Sequence, residues 1–190
     1  MKNYRTTLKQ GADSFDTLQD ILPEQIKILF IAKTPALKSV EIGHYFQGHQ
    51  GKMFWNKLVE FNLLTLHSNE YEDEALERHN YGIMDIVKRP RNYNNEPTFE
   101  EYREGTTRIV DVINTYKPKI IFFVYKKVLD SILKHHYNRN TKSKYGFNHD
   151  LDSLFSCKVF VFPMPGTPCK KEDAFEYMTE IKNFVVEELI

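Results

Sequence analysis

The sequence predicts an α/β fold, a three-layer α/β/α sandwich around a central, mainly parallel sheet. Three short runs rich in β-branched and aromatic residues have the composition of strands buried on both faces. They occupy residues 26–31, 120–124 and 159–162. Segments in which apolar residues recur at helical spacing separate these runs. Strands that alternate with helices favour a parallel sheet with helices on both faces.

The predicted helices are amphipathic, with an apolar stripe that can pack on the sheet. They cover residues 52–62, a long segment from Phe99 to the residue before Pro118, a shorter one around 128–133, and a C-terminal segment from Ala174 to Leu189. Thr167 is predicted to cap the last helix, with Pro168 at its first position. The acidic segment 68–80 is predicted to be a solvated helix or loop.

The length and charge of the chain limit the possible classes of protein. A chain of 190 residues predicts one domain, which we place at 17–190 after a loosely attached arm at 1–16. Lys and Arg total 26 and Asp and Glu total 26, so the net charge is zero and does not indicate nucleic-acid binding. The basic residues nevertheless cluster, and loops that brought them to one face would attract phosphate.

Several kinds of protein are not indicated by the motifs. Cys157 and Cys169 have no CxxC spacing, and free thiols fit a reducing cytoplasm. The histidines lack metal-ligand spacing, and there is no G-x-S-x-G or Walker A motif. The first residues show no signal peptide, and no apolar run approaches the length of a membrane span. We therefore expect no metal, no cofactor and no membrane.

A candidate site follows the first predicted strand. The segment 32–36 reads Ala-Lys-Thr-Pro-Ala, and its proline ends the strand because it cannot donate to a sheet ladder. Hydroxyls and small residues at the carboxyl end of a buried strand are typical of ligand sites in open α/β sheets. The loop that follows carries Phe46 and His49. An ordinary connection between strand and helix explains this stretch equally well.

Five segments carry motifs in a fixed order along the chain. They are residues 32–36, the set Phe46, His49 and Phe54-Trp55, residues 82–89 (GIMDIVKR), Tyr116-Lys117-Pro118, and residues 164–170 (MPGTPCK). In this order they resemble the uracil-DNA glycosylase superfamily, nearest its mismatch-specific uracil/thymine-DNA glycosylase branch. That branch has GINPG at the first segment and NPS or MPS at the last. The resemblance covers roughly residues 17–190.

The resemblance implies a base-flipping enzyme of base excision repair. Such an enzyme extrudes a nucleotide from the duplex, because the glycosidic carbon cannot be reached inside the base stack. It would hydrolyse the N-glycosidic bond of a deaminated or mismatched base, uracil or a related one, without a cofactor. The implied partner is damaged or mismatched double-stranded DNA, and we expect a monomer located in the cytoplasm or at the nucleoid.

The resemblance also assigns roles near the first motif. Phe46 would stack on the flipped base, although a core ring is an equal alternative, and Ala32, Lys33 and Met164 would contact the base. Thr34 stands where the family has an asparagine that positions the attacking water, which puts activity on ordinary uracil mispairs in question. Lys33 has three possible roles: a solvated or phosphate-contacting cation, an electrostatic stabiliser of the leaving base, or a Schiff-base nucleophile.

The remaining implied contacts are to DNA. Gly166, Thr167, Pro168 and Cys169 would insert into the gap left by the flipped base, a role compatible with an ordinary helix start. Residues expected near the DNA backbone, for each of which a solvated surface is the alternative, are His49, Lys88, Arg89, Lys126 and Lys170. Asp85 is the strongest candidate for a functional carboxylate near the site, but a lone carboxylate there more often caps a backbone end or forms an ion pair.

Two other functions fit the same residues. The first is a catalytically silent member of the superfamily that binds nucleic acid or a nucleobase without cleaving it. Thr34 in place of asparagine and the zero net charge favour this reading, whereas Phe46 and the basic loops favour the enzyme. The second is an unrelated flavodoxin-like binding module, for which a phosphate-binding loop after the first strand is expected; only Thr34 supports it.

Overall fold

The computed structural model describes residues 2–92 and 94–189. Its main sheet has five strands, which are Ile28–Ala32 (β3), Tyr81–Asp85 (β4), Ile120–Phe123 (β5), Gly146–Phe147 (β6) and Lys158–Val161 (β7). Their order across the sheet is β4-β3-β5-β7-β6. The four long strands pair in parallel and only the short β6 is antiparallel. The predicted mainly parallel α/β sheet is confirmed, and β4 and β6 are additions to the three predicted strands.

The helices cover both faces of this sheet. They are Leu37–Ile42 (α1), His49–Glu60 (α2), Phe99–Tyr116 (α3), Lys126–His135 (α4), Asp152–Phe155 (α5) and Lys171–Glu188 (α6). Apolar residues of α2 and α6 share one core with one face of the sheet, and those of α3 and α4 share a second core with the other face. The four predicted amphipathic helices are present within a few residues of their expected bounds.

Residues at the start of the chain form a separate antiparallel hairpin of strands Arg5–Gln10 (β1) and Asp13–Leu18 (β2). Tyr4 is buried, its backbone N–H donates to the carbonyl of Gly43 at 2.9 Å, and its own carbonyl accepts from Gln19. Thr17 is also buried and donates to the carbonyl of Lys88. This hairpin occupies the stretch expected to be an arm, and the division of the chain at residue 17 stays a prediction.

The strand order places one crevice at the carboxyl ends of the central strands. The chain enters the sheet at β3, adds β4 on one side, and then returns to add β5 on the other. The connection after β3 therefore leads to α1 and α2 on one face, and the connection after β5 leads to α4 on the other. Ligands of open α/β sheets bind where neighbouring connections diverge in this way. The turn at 33–36 lies at this point.

Two local predictions are wrong. The last helix begins at Lys171 with Lys170 as its N-cap residue, whereas the hydroxyl of Thr167 donates to the carbonyl of Met164 at 2.7 Å. Thr167 therefore closes the turn before the helix instead of capping it. The acidic segment is also not simply solvated, because it contains two short 3-10 helices, Glu72–Ala75 and Glu77–His79, and a fully buried Asp73.

Candidate active site

A cavity of about 360 Å³ opens at the carboxyl end of β3. It lies between the turn after β3, the loop before α2, and the loop after β4. Its volume is within the range of small-molecule sites in proteins. The residues that line it include Lys33, Thr34, Phe46, His49, Asp85, Arg91 and Tyr125. Four residues predicted for the site, Lys33, Thr34, Phe46 and His49, therefore meet in one place.

Backbone hydrogen bonds hold the turn after β3 against the loop after β4. Val87 donates to the carbonyl of Lys33, and Arg91 donates to the carbonyl of Pro35, each at 3.0 Å. The hydroxyl of Thr34 donates to the carbonyl of Arg89 at 2.5 Å. The proton of this hydroxyl is thus engaged, but its oxygen keeps a lone pair that can accept a hydrogen bond.

Lys33 is held by an ion pair at the cavity wall. Its ammonium lies 2.9 Å from the carboxylate of Glu96 and 5.7 Å from the ring centre of Tyr125. Glu96 also accepts from the hydroxyl of Tyr102 at 2.5 Å and pairs with Lys127 at 2.7 Å. Burial raises the pKa of Glu96, but hydrogen bonds from these partners outweigh it and bring the pKa to about 2. Glu96 is therefore ionised at neutral pH.

Phe46 reaches the cavity from a left-handed backbone conformation, with φ of 56°. This conformation is uncommon for a bulky residue and is found mostly where surrounding structure enforces it. Its ring is half-buried and packs on Phe54 at 4.9 Å and on Trp55 at 5.8 Å between ring centres. Contacts within the protein thus fix the ring in place at the cavity wall.

Asp73 fixes the loop that carries Phe46. One carboxylate oxygen accepts from Nδ1 of His44 and the other from the backbone N–H of Tyr45, both at 2.7 Å. The indole N–H of Trp55 donates to the carbonyl of Tyr45 at 3.0 Å. Burial raises the pKa of Asp73, and the hydrogen bonds from Tyr45 and His44 oppose that increase. The sequence alone did not reveal this role, because nothing local distinguishes Asp73 from its exposed acidic neighbours.

Asp85 places a carboxyl group in the cavity wall at the end of β4. The residue is 1 % exposed, and its Oδ2 has no hydrogen-bond partner among residues 2–92 and 94–189. Burial raises its pKa to about 7, while the nearby charges of Lys88 and Arg108 lower it and that of Asp20 raises it further. The predicted alternatives, a cap or an ion-pair partner, do not describe this carboxyl group.

Other predicted residues lie away from the cavity. Ala32 and Met164 are buried in the core and do not line the cavity. Lys88 pairs with Asp20 at 2.7 Å, and Arg89 pairs with Asp13 of the hairpin at 2.9 Å. The ammonium of Lys126 lies 4.8 Å from the ring centre of Tyr145. The structure therefore directs the side chains of Lys88 and Arg89 toward partners within the protein.

The second proline-bearing turn follows β7. Gly166 has φ of 88°, and a β-carbon built there would meet no atom within 4 Å, so this backbone projects into open space. Gly166, Pro168 and Lys170 are exposed, whereas Thr167 and Cys169 are half-buried. Burial raises the pKa of the Cys169 thiol, and Asp173 adds to that increase. The turn is a short protruding loop beside the start of α6.

Within the described part of the chain, no three His, Cys, Asp or Glu side chains are grouped so that they could hold a metal ion. No described helix is both long and apolar enough to cross a membrane. The family model of the uracil DNA glycosylase superfamily matches residues 19–176, which include β3 and its turn, the cavity, and the turn after β7. This chain is a member of the uracil DNA glycosylase superfamily.

Proposed function

We propose that the protein hydrolyses the N-glycosidic bond of a deaminated or mismatched base, uracil or a related one, flipped from double-stranded DNA into the cavity. The observation that carries this proposal is the position of Phe46, a half-buried ring fixed at the wall of a cavity that also contains the turn after β3. Membership in the superfamily supports the chemistry, and the order of the five motifs supports a mismatch-specific activity.

Phe46 supplies a stacking surface for the flipped base. Stacking of a base on an aromatic side chain contributes roughly 1–3 kcal/mol and does not depend strongly on base identity. The ring needs no rearrangement on binding, because Phe54 and Trp55 already hold it. Preorganisation of this kind reduces the entropy lost when the base binds.

Thr34 orients the attacking water. Its hydroxyl proton is donated to the carbonyl of Arg89, so its oxygen accepts a hydrogen bond from the water. The water oxygen forms a bond to C1′ of the sugar as the bond from C1′ to the base nitrogen breaks. The electron pair of that bond leaves with the base, and a proton from the water ends on the released base.

Lys33 contributes electrostatically. Its ammonium is at the cavity wall, and positive charge there stabilises the negative charge that develops on the departing base. The ion pair with Glu96 offsets part of this charge and orients the ammonium. We therefore favour the electrostatic role of Lys33 over the role of a Schiff-base nucleophile.

A base held in the cavity also implies contacts between the protein and the rest of the DNA. The protruding turn Gly166 to Cys169 would enter the space vacated by the base, with Lys170 near a phosphate. His49 at the cavity wall and Lys126 at the start of α4 are further candidates for contacts to the DNA backbone. We propose a monomer that acts on duplex DNA in the cytoplasm or at the nucleoid.

One observation favours a second function, binding of a nucleobase or nucleic acid without cleavage. The turn after β3 offers a single hydroxyl, already hydrogen-bonded to Arg89, where the family has a side-chain amide. Poor positioning of the water would lower the rate by orders of magnitude while the stacking site remained. The two functions differ in whether abasic product appears.

The test is a single-turnover cleavage assay on labelled duplexes with uracil, hypoxanthine, xanthine or thymine opposite each partner base. Binding is followed in parallel by fluorescence anisotropy. Abasic product that decreases in Thr34→Ala, but not in the control Thr115→Ala, would support the enzyme. Thr115 is a suitable control because its hydroxyl also donates to a backbone carbonyl, on the exposed face of α3. Binding without product on any base would refute the glycosylase and support the second function.

A further inference from the structure

Three hydrogen-bond donors beside the cavity converge on one anionic group, the carboxylate of Glu96. One carboxylate oxygen accepts from the hydroxyl of Tyr102 at 2.5 Å and pairs with the ammonium of Lys127 at 2.7 Å, and the other pairs with Lys33 at 2.9 Å. The donors come from three elements, the turn after β3, helix α3 and the first turn of α4. Ammonium and hydroxyl groups are also the donors with which proteins bind phosphate. Glu96 therefore fills an arrangement that suits an oxyanion.

This arrangement has a buried floor and an open side. Tyr102 is 4 % exposed, so its hydroxyl is a buried donor. The side chains of Lys33, Glu96 and Lys127 are 24, 40 and 59 % exposed, which places the open side toward solvent. The N-terminus of α3 is capped by other side chains, so the Glu96 side chain can rotate outward without disturbing the helix that carries Tyr102.

The proposed function brings phosphates to this open side. A flipped nucleotide stays attached to the DNA through its sugar and its two phosphates, which remain outside the cavity that holds the base. Lys33 lines that cavity and pairs with Glu96, so a phosphate beside the opening competes with the Glu96 carboxylate for the same donors. The pKa of Glu96 is about 2, so protonation cannot relieve the repulsion between the two anions at neutral pH.

We infer, on the basis of the proposed function, that Lys33, Lys127 and Tyr102 form a site for one DNA phosphate, and that Glu96 occupies it until the DNA displaces the carboxylate. Glu96 thus acts as an internal competitor of the DNA. It holds the two ammonium groups in place, and it weakens the binding of every duplex whose phosphate must replace it. Like charges placed together at an interface oppose binding in this way.

The competing interpretation is that Glu96 is a permanent bridge that only orients Lys33 and Lys127. The two interpretations predict opposite effects when the charge of Glu96 is removed. A permanent bridge that is lost leaves both lysines less ordered, so DNA should bind more weakly or equally well. A lost competitor leaves the donors available to phosphate, so DNA should bind more tightly.

The first test is fluorescence anisotropy with a labelled duplex that carries a tetrahydrofuran abasic-site analogue, which has no base to release. Glu96→Gln should bind this duplex about tenfold more tightly than the wild type at low salt. Its plot of log K against log salt concentration should be steeper by about one, because one more cation is available to phosphate. Glu100→Gln is the control, since it removes the same charge from an exposed ion pair with Arg103 and should leave the affinity unchanged.

A second variant locates the effect at the proposed site. Lys127→Ala added to Glu96→Gln should abolish the gain in affinity, because the competitor and one of its two cations are then both absent. Calorimetric titration of Glu96→Ala with inorganic phosphate should give binding about tenfold tighter than the wild type shows. Titration with 1-methyluracil, in which a methyl group stands for the sugar, should give equal affinities for Glu96→Gln and the wild type, because this compound carries no phosphate.

Four results would refute the proposal. They are a Glu96→Gln variant that binds the duplex no more tightly than the wild type, an equal gain in Glu100→Gln, no gain in phosphate binding by Glu96→Ala, and a changed affinity of Glu96→Gln for 1-methyluracil. None of these measurements requires catalysis. A protein that shows the expected binding but releases no base from any duplex would refute only the proposed hydrolysis.

Discussion

Gly51 in α2 lies directly against the backbone of Phe46. A β-carbon at position 51 would be 2.4 Å from the carbonyl oxygen of Phe46 and 2.5 Å from its α-carbon. Both atoms belong to the backbone and cannot move aside as a flexible side chain would. The left-handed φ of Phe46 and the missing side chain at Gly51 therefore belong to one arrangement, which places the aromatic ring at the cavity wall.

The first prediction concerns this contact. Gly51→Ala should lower the free energy of unfolding by about 1–3 kcal/mol, as is typical of overpacking, and should weaken binding of 1-methyluracil because Phe46 is displaced. Urea denaturation and calorimetric titration measure the two effects. Gly48→Ser is the control for stability, since a β-carbon at position 48 meets nothing within 4 Å and serine is favoured at the N-cap of α2. Equal stability of Gly51→Ala and wild type would contradict the prediction.

The second prediction concerns the dependence of stability on pH. The folded-state pKa of Asp85 is raised, so the unfolded chain ionises this residue at lower pH than the native protein does. The stability that the neutral group contributes is complete below pH 4 and is lost between about pH 4 and pH 7. Asp85→Asn cannot ionise and should not show this loss. Its advantage over the wild type should reach no more than about 4 kcal/mol at pH 8, from about 1.4 kcal/mol for each unit of pKa shift.

Thermal and urea unfolding at pH 4, 5.5, 7 and 8 measure this difference. Asp85→Ala is the matched control: it also removes the ionisable group, so its difference from the wild type should change with pH as that of Asp85→Asn does. Its stability should be lower than that of Asp85→Asn at every pH, because it leaves a space in the cavity wall. A gap between Asp85→Asn and wild type that does not change with pH would contradict the prediction.

The third prediction concerns Lys33. An amine needs a free lone pair to attack a sugar carbon, whereas the Lys33 ammonium is engaged in an ion pair with Glu96. Borohydride treatment during reaction with a uracil-containing duplex should therefore give no covalent complex with the wild type. Denaturing electrophoresis detects such a complex. A trapped species that disappears in Lys33→Arg would overturn the electrostatic role and assign Lys33 as a nucleophile.

The strands and helices were predictable because their signals are local. The apolar run that contains β3 and the helical spacing in α3 follow from burial of one or both faces, and the structure has both elements close to their expected bounds. The hairpin β1–β2, the strand β4 and the two-residue strand β6 were not predicted. The pairing of the hairpin and of β6 depends on contacts between segments that no short apolar run marks in the sequence.

The candidate site was predictable only in part. Thr34 and Phe46, which belong to two of the motifs, both lie in the cavity wall, and their roles there stay a prediction. The left-handed backbone of Phe46 was not predictable, because phenylalanine rarely adopts it and its backbone packs against Gly51, five residues later. The raised pKa of Asp85 depends on its burial and on nearby cations, Lys88 and Arg108, that are paired with Asp20. These are properties of the tertiary structure.

The fourth prediction concerns Asp73, which supports the Phe46 loop from a segment about 28 residues away. Asp73→Asn replaces the carboxylate with a neutral amide, whose oxygen accepts more weakly from the N–H of Tyr45 and whose NH₂ group forces Nδ1 of His44 to become the acceptor. We expect the free energy of unfolding to fall by about 1–3 kcal/mol, the range for buried hydrogen bonds to a charged group, with weaker binding of 1-methyluracil as Tyr45 and Phe46 shift. Urea denaturation checks the first effect and calorimetry the second.

Glu77→Gln is the control, since it removes an exposed ion pair with Lys2 from the neighbouring 3-10 helix and should cost less than about 1 kcal/mol. If the two variants lost the same small amount of stability, the Phe46 loop would be held by Ser39, Trp55 and its other partners without Asp73.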